Sequence, residues 1–125
     1  MKKIIHSELA PKAIGPYSQA VEAGNMLFIS GQLPIDPTTG TIVADGITAQ
    51  TEQVLKNVEA ILKEAGYTFD NVVKTTCLLS TMDDFAAMNA VYAKFYTNDY
   101  PARAAYAVQK LPMGALVEIE TIAAK

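Results

Sequence analysis

Hydrophobic residues recur in this chain with two distinct periods, and the switches between them mark out its elements. Lys3-Ile4-Ile5 is a short strand candidate, and it runs into Ala10-Pro11-Lys12-Ala13-Ile14-Gly15-Pro16, where two prolines and a glycine break regular structure. Tyr17 to Ala23 and Met26 to Ser30 suit two strands, with Gly24-Asn25 between them as a hairpin turn. The turn-rich stretch Pro34 to Asp45 predicts a surface loop. Between Gly46 and Gly66 the residues Val54, Leu55, Val58, Ile61, Leu62 and Ala65 fall at helical spacing, and Gly66 is placed to close the helix in a left-handed cap. Val72 to Ser80 then reads as a strand. Thr81 with Asp83 and Asp84 resembles the start of a second helix, whose apolar face is Phe85, Met88, Tyr92 and Phe95. Tyr100-Pro101 follows that helix, and two last strands, Arg103 to Val108 and Leu116 to Ala123, flank a turn at Leu111-Pro112-Met113-Gly114.

This order predicts a single α+β domain over residues 1–125, a mixed sheet with two helices on one face. Half the residues are hydrophobic and 18% charged, a balance that supports one packed core. Strands as apolar as Leu27-Phe28-Ile29 and Val72 to Leu79 would leave hydrophobic surface on the uncovered sheet face, so self-association is expected. A net charge of -3 argues against nucleic acid as a partner. No apolar run is long enough to span a bilayer, and no secretory signal precedes Pro11, so a soluble cytoplasmic protein is expected. Cys77 is the single cysteine, which rules out an intrachain disulfide, and its apolar setting suits a buried, inert thiol.

Familiar catalytic constellations are missing. There is no phosphate-binding glycine loop, no metal-ligand spacing and no nucleophile elbow, so neither a metal nor a cofactor is expected. His6, the one imidazole, ends the first strand candidate and suits a surface polar role. Arg103 puts a permanent charge into a strand otherwise made of Ala, Tyr and Val; it is either a fork-shaped clamp for a carboxylate or half of a structural ion pair. Glu118 and Glu120 alternate with Val117, Ile119 and Thr121, which puts both carboxylates on one side of a strand, as a solvated face or as a general base with its neighbour. Tyr17 and Ser30-Gly31-Gln32 offer hydroxyls and backbone donors near chain reversals.

Taken together these segments resemble the RidA (YjgF) family over essentially the whole chain. The resemblance rests on Ala13-Ile14-Gly15-Pro16-Tyr17-Ser18-Gln19-Ala20, Phe28-Ile29-Ser30-Gly31-Gln32-Leu33-Pro34, Asn57-Val58, Asp84-Phe85, Asn89, Tyr100-Pro101-Ala102-Arg103, Leu111-Pro112 and Val117-Glu118-Ile119-Glu120. It implies a chorismate-mutase-like fold and a homotrimer with sites between neighbouring subunits. It also implies hydrolysis of 2-iminobutanoate and 2-iminopropanoate to 2-keto acids and ammonia. Carried over by motif, Arg103 would bind the substrate carboxylate, Glu118 would activate water, and Tyr17 would close the pocket. Ser30, Gly31 and Asn89 would line it, and Ala105 would contribute backbone. Ala105 is a departure, since many relatives carry a cysteine there. The competing expectations are a trimer that binds small carboxylates such as 2-keto acids without turnover and, less in keeping with the acidic charge, an RNA-directed activity.

Overall fold

The computed structural model describes all residues, 1–125. Strands β1 (Lys2–Ile5), β2 (Ala20–Ala23) and β3 (Met26–Gln32) form an antiparallel run, with β2 and β3 joined tightly so that Ala23 faces Met26. A small ribbon of β4 (Ile35–Asp36) and β5 (Thr41–Ile42) leads to helix α1 (Gly46–Ala65). Strand β6 (Val72–Leu79), helix α2 (Phe85–Phe95), and strands β7 (Ala102–Ala107) and β8 (Val117–Ala124) complete the chain. The six long strands form one sheet in the order β1-β2-β3-β8-β6-β7, in which only β6 and β7 run parallel. The sheet is therefore mixed and the fold α+β, as expected.

Both helices lie on one face. Val54, Leu55, Val58, Ile61 and Leu62 of α1 and Met88, Val91 and Tyr92 of α2 are buried against Leu27, Ile29, Cys77, Leu79, Val117 and Ile119 of the sheet. Removing one such buried leucine would cost roughly 2–5 kcal/mol. Gly66 ends α1 with φ 82°, and its amide bonds the carbonyls of Leu62 and Lys63, as its position predicts. Cys77 is fully buried, as expected, and burial pushes its thiol pKa up.

Four expectations need adjustment. The strand predicted from Tyr17 begins only at Ala20, because the Gln19 side chain is taken up by the loop beside it: it accepts from Ser7 N and donates to the carbonyls of Ser7, Ala10 and Pro11. The predicted loop at 34–45 contains the β4–β5 ribbon, whose turn is held by the Asp36 carboxylate accepting from Thr38 N and Oγ1. The predicted strand to Ser80 stops at Leu79. Thr81 caps a single 3-10 turn, accepting from Asp83 N at 3.1 Å, and α2 proper starts at Phe85.

The uncovered sheet face carries Ile4, Val21, Phe28, Ile122, Leu78 and Tyr106 in cross-strand rows. Phe28 remains 43% exposed there, which is the apolar surface anticipated from the strand sequences. Neither helix is long and apolar enough to cross a membrane.

Candidate functional site

Residues singled out in the sequence gather at two places. Tyr17, Ser30, Gly31 and Glu118 line a cavity of about 590 Å³ between the Pro11–Tyr17 loop, the end of β3 and the start of β8. Asn89 and Arg103 line a second, of about 350 Å³, between α2 and the start of β7.

The first cavity is made by an irregularity in the sheet. Ile29 faces Thr121 and Gln32 faces Ile119, so Ser30 and Gly31 together oppose Glu120 alone. Such a bulge bends a strand and re-aims its side chains. Here it turns Ser30 to the neighbouring loop: its amide donates to Gln19 O at 2.9 Å and its hydroxyl to Ser18 O at 2.6 Å. Ser30 thus straps the Tyr17 loop down, and its hydroxyl proton is already committed. Gly31 serves by lacking a side chain. A Cβ there would sit 3.0 Å from Glu118 Cδ and overlap one of its carboxylate oxygens. The Glu118 carboxyl is held above the usual carboxylate range, first by burial and then by the charge of Glu120 on the same face of β8. A carboxylate so placed is a better proton acceptor near neutral pH than an exposed one. Ile14, Leu33, Ile35, Pro112 and Met113 supply an apolar wall, and Lys12 is the one basic residue in the lining. Tyr17 is half exposed over the cavity.

The second place is built around a cation. Arg103 Nη1 donates to Asn89 Oδ1 at 2.7 Å, and the guanidinium carbon lies 4.9 Å from the Tyr92 ring centre and 5.5 Å from that of Phe85. Phe85, Asn89 and Tyr92 recur every three to four residues along α2, so one helix face presents all three. The chain's two ion pairs are His6–Glu8 and Lys56–Glu52, so no carboxylate neutralises Arg103. The structural ion pair that its sequence setting also permits is not formed within the chain.

Ala105 packs its methyl group toward the core from β7, the last strand of the sheet. Val108 N donates to Leu79 O of β6, so alternation along β7 turns the backbone of Arg103 and Ala105 to the free edge.

Within a single chain Arg103 and Glu118 do not meet. Arg103 pairs across the sheet with Thr75 and Thr121, whose side chains face the helices, whereas Glu118 lies on the opposite face in the row of Leu78 and Tyr106. A strand's side chains alternate between faces, and these two positions fall on opposite sides. The sequence pattern puts Phe85 and Tyr92 in the core alone and Met113 in a turn, with no sign that Met113 lines the first cavity. The spacing of Phe85, Asn89 and Tyr92 was the available signal for the arginine's surroundings. No three His, Cys, Asp or Glu side chains converge to hold a metal ion.

Comparison with known proteins places this arrangement. A family model described as endoribonuclease L-PSP matches residues 7–125. A RutC family protein of Pyrococcus horikoshii is 56% identical over 125 residues, covering 100% of this chain and 99% of that protein. The mouse 2-iminobutanoate/2-iminopropanoate deaminase is 50% identical over 123 residues, covering 98% of this chain and 91% of that protein. The crystal structure of a conserved Rid family protein from Yersinia pestis superposes with a TM-score of 0.98 at 46% identity, each chain covered in full. Matched from Ser7 to its last residue and aligned end to end with these relatives, the chain belongs to the RidA (YjgF) family, that of the L-PSP proteins.

Proposed function

We propose that this chain hydrolyses short 2-imino acids, 2-iminobutanoate and 2-iminopropanoate, to 2-keto acids and ammonia, without a metal or cofactor. The observation that carries the reading is Arg103: a guanidinium fixed by an amide and two aromatic rings, with no acidic partner of its own. A cation held ready but not neutralised suits a small carboxylate, which the planar fork binds through two hydrogen bonds. The mouse relative named as a deaminase supports the same substrate class.

The reaction needs little from the protein because a protonated imine is already electrophilic. Water adds to C2 as Glu118 takes a proton from it, forming the C–O bond while the C=N pair moves onto nitrogen. The nitrogen is protonated, the C–N bond breaks to expel ammonia, and the hydroxyl loses its proton to give the ketone. Orientation of acid, water and base can supply several kcal/mol, roughly the lower part of what ideal intramolecular placement provides. Tyr17 closes the pocket, and Gly31 leaves room for the carboxylate of Glu118.

The two halves join in a homotrimer packed through the uncovered sheet face, where the neighbour's β7 edge brings Arg103 and the Ala105 backbone to the cavity of Glu118. The apolar strip around Phe28 and the free edge of β7 support this assembly. RNA is a poor occupant for a cavity with two carboxylates and one lysine.

The test couples a threonine dehydratase to this protein and follows keto-acid release with semicarbazide trapping free imine. The wild-type chain should raise the yield of free keto acid over trapped imine, and Arg103→Ala should remove the effect while leaving the assembly intact. Tight 2-ketobutyrate binding with no turnover would favour a carboxylate-binding trimer instead.

A further inference from the structure

Tyr92 lies at the bottom of the arginine's surroundings and is itself held from two sides. The residue is 4% exposed, its hydroxyl shares a 2.7 Å hydrogen bond with Thr75 Oγ1 of β6, and its face leans on Tyr96 with ring centres 4.5 Å apart. Arg103 by contrast is exposed, on a strand with no neighbour beyond it. A long exposed side chain would sample many rotamers, and fixing it only when ligand arrives lowers affinity. The guanidinium carbon lies over the Tyr92 ring, 4.9 Å from its centre, and Asn89 Oδ1 takes one donor, Nη1. A guanidinium has five N–H groups, so the remaining donors stay available to an anion on the open side of the 350 Å³ cavity.

We infer that Tyr92 is a positioning residue for the reaction: its buried ring, leaning on Tyr96, holds the Arg103 fork where it receives the substrate carboxylate. The inference rests on the carboxylate-clamp reading above and extends it to a residue that does not touch substrate. The work is done by the ring face and not by the hydroxyl's acidity, so phenylalanine should serve where an aliphatic side chain does not. Because the cradle acts on ground-state and transition-state binding alike, its loss should appear in KM and not in kcat.

The experiment compares Tyr92→Phe, Tyr92→Leu and Arg103→Ala with the wild-type chain in the dehydratase-coupled assay, with thermal unfolding measured on each. Tyr92→Phe should keep KM for 2-iminobutanoate within about twofold, and Tyr92→Leu should raise it about fivefold with kcat little changed, the effect of one partly exposed cation–π contact. Equal KM in Tyr92→Leu and wild type would overturn the inference, as would a fall in kcat that follows the loss of folded protein. If Tyr92→Leu does not fold, Phe85→Leu at a less buried position carries the same comparison: a raised KM supports the aromatic cradle, and an unchanged one overturns it. Failure of the parent reading looks different: wild type and Arg103→Ala would then be equally inactive.

Discussion

Glu118 feels two influences in the same direction. Burial and the charge of Glu120 both favour its neutral form, burial more strongly, so its folded pKa lies above the ordinary 4.5. For stability the sign follows: protonated Glu118 favours the folded state at low pH, and that contribution is lost as pH rises through the raised value. Under the proposed function activity runs the other way, because only the carboxylate form of Glu118 can accept a proton from water. The acid limb of kcat/KM should therefore lie above the ordinary carboxylate range, and Glu120→Gln should move it to lower pH without returning it fully, since burial remains. A pH-rate profile of the two proteins checks this; coincident acid limbs would contradict it. Gly31 belongs to the same account, because the space its missing Cβ leaves is where the Glu118 carboxylate sits.

Among the elements, the turn before β8 is the strained one. Met113 is the one non-glycine residue with positive φ, at 59°, and Gly114 beside it has φ 70°. A residue with a Cβ costs about 1–2 kcal/mol in that region. Met113→Gly should relieve most of this, less the added freedom of the unfolded chain, and raise the melting temperature by about 2–4 °C. A scanning-calorimetry result showing a lower melting temperature would mean that the exposed Met113 side chain contributes more to stability than its geometry suggests. The two helices and the central strands were legible in the sequence because their apolar spacing is set by burial against one core. Residues Tyr17 to Gln19 read as a strand because alternation cannot reveal that the Gln19 side chain is claimed by a loop eight to twelve residues earlier. Nor could it foresee the β4–β5 ribbon, which depends on a turn locked by Asp36.

At the scale of the molecule, sequence order placed Ser30, Asn89, Arg103 and Glu118 on their elements but not on their faces relative to one another. Tyr17, Ser30, Gly31 and Glu118 come together because β2, β3 and β8 are sheet neighbours; Arg103 lies two strands from β8, on the far side. Whether two residues share a cavity depends on strand order and facing, and local spacing encodes only the second of these, strand by strand. The separation of Arg103 from Glu118 has a genetic consequence. If each working centre draws its anion clamp from one subunit and its base from the next, Arg103→Ala and Glu118→Gln chains are each dead alone yet complementary. Unfolded together in equal amounts and refolded, they should recover about a quarter of wild-type turnover, the fraction of neighbouring pairs in a cyclic assembly that unite two intact halves.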